Sequence, residues 1–281
     1  MKRIMFFETT DFTGATRVTR TIAKKVRGHF ETKVKIIENN VQDEIRETVS
    51  KENPDILFSS FTSINPEVIT VGKRHKKIVV VRQDYKLSDL SVEARERVFE
   101  TYPNADFIIA QTPEMRQELL GYKALRKCRI RVIENPLDEE NILEKAKAPN
   151  PFPDNGNFHF LWVGRREPIK DIQTLQEAFE IVHNSFPMTD LTLISNDVNP
   201  YRWMRNADCL VISSISEASP NVLKEALFLK TKVVSTDCSP IIRRLLSEKD
   251  IAKVRDVNHL AKIMMSTIPN KKMIQIKTQQ I

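Results

Sequence analysis

A chain of 281 residues with 41% hydrophobic and 29% charged side chains has the makeup of an ordinary globular protein, long enough for one large domain or two small ones. No run of roughly 18 apolar residues exists, which excludes a membrane-spanning helix. The three cysteines Cys128, Cys209 and Cys238 form no CxxC pair, which argues for reduced thiols and a cytoplasmic setting. The formal net charge of +7 favours an acidic partner such as nucleic acid, anionic lipid or a phosphorylated substrate, although a lysine-rich surface also serves solubility alone.

In chain order, Lys2 to Phe7 reads as a first strand, being too short and too soon polar for a signal peptide. A polar loop with Gly14 leads into a helix from Arg17 to Arg27, apolar on one face and basic on the other. Strand, polar loop and helix is an order that binds phosphate in many α/β proteins, but one glycine is a weak fingerprint. Strands at 33–37, 56–58, 77–81, 107–110 and 129–133 alternate with helices at 41–50, 66–71, 92–102 and 113–120. Strands alternating with helices predict parallel sheets covered on both faces.

Residues 145–157 hold three prolines and a glycine, the best domain boundary in the chain. The alternation then restarts, with strands at 158–163, 191–195, 209–212, 232–236 and 251–254 and helices at 171–184, 201–206, 240–247 and 257–265. The expectation is therefore α/β, two Rossmann-like domains facing across a cleft, residues 1–148 and 149–281. The polar tail from 266 is a candidate to pack back on the first domain.

The stretch from Asp208 to Ala226 carries the densest chemistry. An apolar strand opens into the polar loop 213–219, and a helix starts at Ser219-Pro220, serine serving as N-cap and proline in the first turn. The unpaired amides of a helix start, here near Asn221 and Val222, form a ready anion site. Glu217 and Glu225 bracket it. An acid on each side suits a ligand with both phosphate and hydroxyl groups, because carboxylates accept from hydroxyls. The plainer reading is an ordinary βα unit with two surface glutamates. Arg165 and Lys170, just after the strand 158–163, would share the sheet edge with Glu217 and could neutralise a diphosphate.

These segments resemble a known family. "LWVGRREPIKDIQTLQEAF" is similar to the G-R-x4-K segment of retaining glycosyltransferases of family 4, which have the GT-B fold. "ADCLVISSISEASPNVLKEALFLKTKVVSTD" is similar to their strand, acidic loop and helix with two glutamates that have seven residues between them. "ADFIIAQTPEMRQELL" and "RIRVIENPLD" resemble the first-domain strand and the interdomain segment. The resemblance implies that Arg165 and Lys170 hold the diphosphate of a nucleotide sugar, with UDP-glucose the favoured donor, and that Glu217 contacts the transferred sugar. It also implies that Glu225 accepts from the ribose hydroxyls, that Ser219, Pro220, Asn221 and Val222 form the phosphate turn, and that Gly14 approaches the phosphate from the first domain. No metal is implied, and the five histidines show no ligand spacing.

The chain departs from that pattern in three places. Gln83 stands where a histidine is usual, between Arg82 and Asp84. Thr13-Gly14 replaces two glycines. Only residues 196–207 join the strand 191–195 to the strand near 209, where the family inserts a further helix and strand. Base recognition would then fall to Ser195 and Asn196, or to Tyr201 and Trp203, although packing under a short loop is the plainer role for Trp203. No protein nucleophile is evident. The resemblance implies front-face transfer, with Asp84 as a minor alternative nucleophile.

The first domain is expected to hold the acceptor, with Arg82, Gln83 and Asp84 on its side of the reaction. Basic clusters at 73–77 with Arg82, at 123–131 and on the helix 17–27 favour double-stranded DNA bearing hydroxymethyl or glucosyl groups. The compact size is similar to that of small T-even phage DNA glucosyltransferases. The alternatives are a lipid-linked or surface glycan reached at an anionic membrane, and a nucleotide-sugar-binding protein without activity.

Overall fold

The computed structural model describes residues 1–10, 14–72, 74–81, 87, 90–195 and 199–269. The chain divides into two compact units, Met1–Leu137 and Asp138–Ile281.

The first unit runs β1 (Arg3–Thr9), α1 (Gly14–Val26), β2 (Glu31–Ile37), α2 (Val41–Glu52), β3 (Ile56–Ser59), α3 (Asn65–Thr70), β4 (Lys76–Val81), α4 (Val92–Thr101), β5 (Phe107–Ala110), α5 (Pro113–Gly121) and β6 (Ile130–Val132). Its six strands lie in the order β2-β1-β3-β4-β5-β6, and every pairing is parallel. β1 reads as a continuous apolar run because helices cover both of its faces. Met5 and Phe7 pack with Ile45 and Val68 on one side, and Ile4 and Phe6 pack with Ala23 of α1 on the other. Helix starts follow the sequence signals. Asn40 caps α2 through the Asp43 amide, and Thr112 caps α5 through the Met115 amide with Pro113 in the first turn.

The second unit runs α6 (Glu139–Ala146), β7 (Phe158–Val163), α7 (Ile172–Ser185), β8 (Thr189–Ile194), α8 (Pro200–Asn206), β9 (Cys209–Ile212), α9 (Asn221–Phe228), β10 (Lys232–Thr236), α10 (Pro240–Leu245), β11 (Ile251–Ala252) and α11 (Val257–Ser266). Its five strands lie in the order β11-β10-β9-β7-β8, again parallel throughout. Phe160, Trp162 and Val211 on the sheet pack against Leu175 and Val182 of α7 and Leu260 and Met264 of α11.

Three features differ from the sequence reading or extend it. α6 carries no assigned element in that reading, because EENILEKA buries only Ile142 and Ala146. It packs on α8, and Asn199 Nδ2 donates to the Lys145 carbonyl at 2.9 Å. The units accordingly divide after Leu137, ahead of the Pro-rich stretch. That stretch is pinned to the second unit by Phe152, whose ring stacks on His159 at 4.6 Å and meets the edge of Trp203 at 5.1 Å. Trp203 is thus a packing residue. Thirdly, Ser219 does not cap α9. Pro220 stands at the cap position with φ −65° and ψ 109°, and no side chain caps the helix. The residue before a proline is pushed out of helical geometry, which moves the start one residue on. Residues 270–281, expected as part of a polar tail, lie outside the described residues.

Candidate functional site

β9 occupies the middle of the second sheet, and all four of its residues are buried. Its carboxyl end opens between the ends of β7 and β10, so three loops meet there, and ligands of parallel sheets bind beyond this edge. The loop 213–219 is tied to both neighbours. Ser213 Oγ donates to the Lys170 carbonyl at 2.8 Å, and the Ile215 amide donates to the Ile169 carbonyl at 2.8 Å. On the other flank, the Glu217 amide donates to the Cys238 carbonyl at 2.8 Å, Thr236 Oγ1 to the Ser214 carbonyl at 2.6 Å, and Ser239 Oγ to the Ala218 carbonyl at 3.1 Å. A loop held by five such bonds is a rigid platform, as a binding site requires.

The platform carries a charged pair. Lys170 Nζ lies 2.6 Å from Glu217 Oε1, with side chains 16% and 6% exposed. Ser214 Oγ donates to the same oxygen at 2.8 Å. A pair this shielded from water is held in one geometry, and a truncated partner would leave its charge uncompensated. The Cys238 thiol beside it is pushed up to about 12, by burial first and by the Glu217 charge second, so it stays a neutral thiol.

Ser219 and the start of α9 adjoin the pair. Ser219 is 8% exposed, and its Oγ has no hydrogen-bond partner among the described residues. A buried hydroxyl without a partner is costly unless something else satisfies it, and here it directly precedes the start of α9, which no described side chain caps. One turn on, Glu225 is buried and accepts from the Tyr201 hydroxyl at 3.3 Å. Arg165 is on the same edge but apart from the pair. Its guanidinium is half-exposed and meets Glu167 Oε1 at 2.6 Å. Ser195 follows β8 and is half-buried. Asn196 lies outside the described residues.

The second unit therefore brings together Lys170, Glu217, Ser219 and the α9 start, with Glu225 behind them. Sequence reasoning misses Thr236, which ties this loop, Ser214, whose hydroxyl holds Glu217 Oε1, and the bond from Tyr201 to Glu225. The run of polar residues between β9 and α9 is the available signal, but it does not say which of the hydroxyls turn inward.

In the first unit, Gly14 opens α1, while Arg82, Gln83 and Asp84 lie outside the described residues. The carboxyl edge holds buried polar pairs. Glu8, near the end of β1, is fully buried and accepts from Arg20 Nε at 3.0 Å, and its Oε1 has no partner among the described residues. Burial raises the Glu8 carboxyl, with Arg20 opposing. Thr19 and Ser60 hydroxyls lie 2.5 Å apart, and Gln111 Nε2 donates to Asn135 Oδ1 at 3.0 Å. The basic clusters sit mostly elsewhere. Residues 74–76 lead into and open β4, residues 123–129 precede β6, and Lys24 and Lys25 end α1, all at the amino end of the sheet. Lys77 is buried, its amide donates to Asp106 Oδ2 at 2.8 Å, and burial lowers its ammonium group. It is a structural lysine and not a surface contact.

Comparisons with known proteins agree with this geometry. Residues 148–270, nearly all of the second unit, match the family described as glycosyl transferases group 1. An uncharacterized glycosyltransferase of Methanocaldococcus jannaschii is 26% identical over 200 residues, covering 60% of this chain and 49% of that protein. The N-acetylgalactosamine-N,N'-diacetylbacillosaminyl-diphospho-undecaprenol 4-alpha-N-acetylgalactosaminyltransferase of Campylobacter jejuni is 23% identical over 180 residues, covering 56% of this chain and 48% of that protein. The chain thus spans about half the length of the curated relatives it matches. Among solved structures, HepE of Anabaena in complex with UDP and glucose superposes with a TM-score of 0.77 at 14% identity, covering 97% of this chain and 91% of that one. The Escherichia coli trehalose-6-phosphate protein bound with UDP-2-fluoro glucose gives 0.72 at 11% identity, covering 100% and 96%. The two parallel-sheet units have the fold of these GT-B structures.

Proposed function

We propose that the protein is a retaining glycosyltransferase that moves a hexose from a UDP-sugar to an acceptor hydroxyl. The observation that carries the reading is the Lys170–Glu217 pair on a fixed loop beside the uncapped α9 start. Group 1 similarity over residues 148–270 supports it, and so do the UDP ligands of the HepE structures.

In this reading Lys170, Arg165 and the first amides of α9 neutralise the diphosphate, with Ser219 Oγ as a further donor. Glu225 accepts from the ribose and Glu217 from the transferred sugar, and Ser195 and Asn196 wall the base. The bond between the anomeric carbon and the diphosphate oxygen breaks, and charge grows on that oxygen. Cations and amides already in place stabilise it without reorganising. The acceptor oxygen bonds to the same face of the anomeric carbon, and its proton passes to the leaving phosphate. No metal and no protein nucleophile enter the scheme. Free thiols at Cys128, Cys209 and Cys238 fit a cytoplasmic enzyme. No helix among the described residues is long and apolar enough to cross a membrane.

The acceptor we propose is a glycan or lipid-linked glycan. The Campylobacter relative, an N-acetylgalactosaminyltransferase named for a diphospho-undecaprenol-linked glycan, supports this. A second reading, modified duplex DNA, is supported by the net charge of +7, but the basic clusters lie mainly at the amino end of the first sheet, away from the edge where ligands of such sheets react. Radiolabelled UDP-glucose offered with a lipid extract, with hydroxymethylated DNA and with glucosylated DNA decides between them. Label in the lipid fraction alone is the expected result, label in DNA alone would reverse the acceptor assignment, and absence of both transfer and UDP release would remove the enzyme reading.

A further inference from the structure

The two carboxylate oxygens of Glu217 are in different situations. Oε1 takes the Lys170 ammonium at 2.6 Å and the Ser214 hydroxyl at 2.8 Å. Oε2 has no hydrogen-bond partner among the described residues, and it is not among the polar atoms sealed from solvent without one. A carboxylate can rotate about its last side-chain bond, so one ion pair alone would leave either oxygen free to face Lys170. A second donor on the same oxygen removes that freedom.

We infer that Ser214 is a positioning residue for donor recognition: with Lys170 it saturates Oε1 of Glu217 and leaves Oε2 as the single acceptor for one hydroxyl of the transferred sugar. This rests on the proposed nucleotide-sugar reading of the site. The backbone around Ser214 does not depend on its hydroxyl. The loop is held by Thr236 Oγ1 on the Ser214 carbonyl, by the Ile215 amide on Ile169 and by the Glu217 amide on Cys238, none of which involves Ser214 Oγ. Removing the hydroxyl therefore frees the carboxylate to turn without releasing the loop. A serine that only satisfied itself in the core would have no bearing on which hydroxyl a ligand presents.

The test compares wild type, Ser214→Ala and Ser214→Thr with UDP-glucose and with its monodeoxy analogues, measuring turnover and, by calorimetry, the affinity for each UDP-sugar relative to UDP. Ser214→Ala is expected to lose about tenfold in kcat/KM with UDP-glucose, an effect of the size of losing one hydrogen bond to a charged group. With the one analogue that lacks the hydroxyl read by Oε2, wild type and Ser214→Ala should be equal. UDP affinity should not change, and Ser214→Thr should restore part of the discrimination. An equal loss with every analogue, or no loss with UDP-glucose, overturns the role of Ser214 alone. A wild-type protein that binds no UDP-sugar overturns the reading of the site and this inference with it. If sugar is bound but not transferred, the affinity ratios carry the same comparison.

Discussion

The two units share one architecture and use its two ends differently. In the second, the Lys170–Glu217 ion pair, the buried Ser219 and the α9 start all fall on the carboxyl edge. In the first, the same edge holds polar groups turned into one another, Glu8 with Arg20, Thr19 with Ser60 and Gln111 with Asn135, while exposed cations gather at the amino end. Helix dipoles account for part of this second pattern, since cations are favoured at helix C-termini and the last turns of α1 and α2 both carry lysine. Net charge is therefore a poor guide to where a ligand reacts. The sheet edge on which a charge falls carries more information than the total.

The largest effect should come from the platform. Lys170→Ala and Glu217→Gln are each expected to lower kcat/KM with UDP-glucose by about 100- to 1000-fold, the range for removing one preorganised group that meets developing charge. Steady-state kinetics checks this. A loss under about threefold for both would mean that the pair is a structural tie and that the two units differ less than their edges suggest.

Next comes the opposite end. Reversing Lys123, Arg126 and Lys127 to glutamate together should flatten the salt dependence of any duplex DNA binding by about 0.9 for each phosphate the variant no longer neutralises, and leave UDP affinity unchanged. Fluorescence anisotropy with a short duplex and calorimetry with UDP measure the two sides. A fall in UDP affinity would show that the amino end of the first sheet is not independent of the site. Smaller again is Tyr201→Phe, which removes the hydroxyl from Glu225 and should weaken UDP by about two- to tenfold, the worth of one ordinary hydrogen bond.

The same contrast explains what is legible in the chain. Strands such as Phe158–Val163 and Cys209–Ile212 are continuous apolar runs and can be read directly, as can helices with a side-chain cap and a proline in the first turn, such as α5 after Thr112. α6 cannot, because two buried residues in eight give no clear period and its place is fixed by packing on α8. The glutamates and Lys170 can be named one by one. Their pairing cannot be derived from local pattern, since 47 residues separate them and the bond depends on β7 lying beside β9, a crossover that local sequence does not encode. Ser214 is hidden for a related reason. Four serines occur in the loop 213–219, and only the folded loop distinguishes the one facing Glu217.

The smallest effect lies in the first unit and tests whether its carboxyl edge is a closed structural layer. Glu8 is fully buried, accepts from Arg20, and its carboxyl is raised above the usual value near 4.5, chiefly by burial. The folded state therefore holds this proton to higher pH than the unfolded chain does. Between about 4.5 and the raised folded value the native state binds more protons, so stability falls as pH rises through that window and is level above it. The stabilising contribution of the protonated carboxyl is complete only below the unfolded value. Glutamine cannot ionise, yet its carbonyl can still accept from Arg20, so Glu8→Gln should remove this part of the pH dependence. Thermal melting across roughly pH 4 to 8 should show the variant gaining on wild type as pH rises, by a few degrees at most. A difference that stays constant with pH would mean that Glu8 titrates alike in both states. The edge would then be open to water, and closer in character to the carboxyl edge of the second unit.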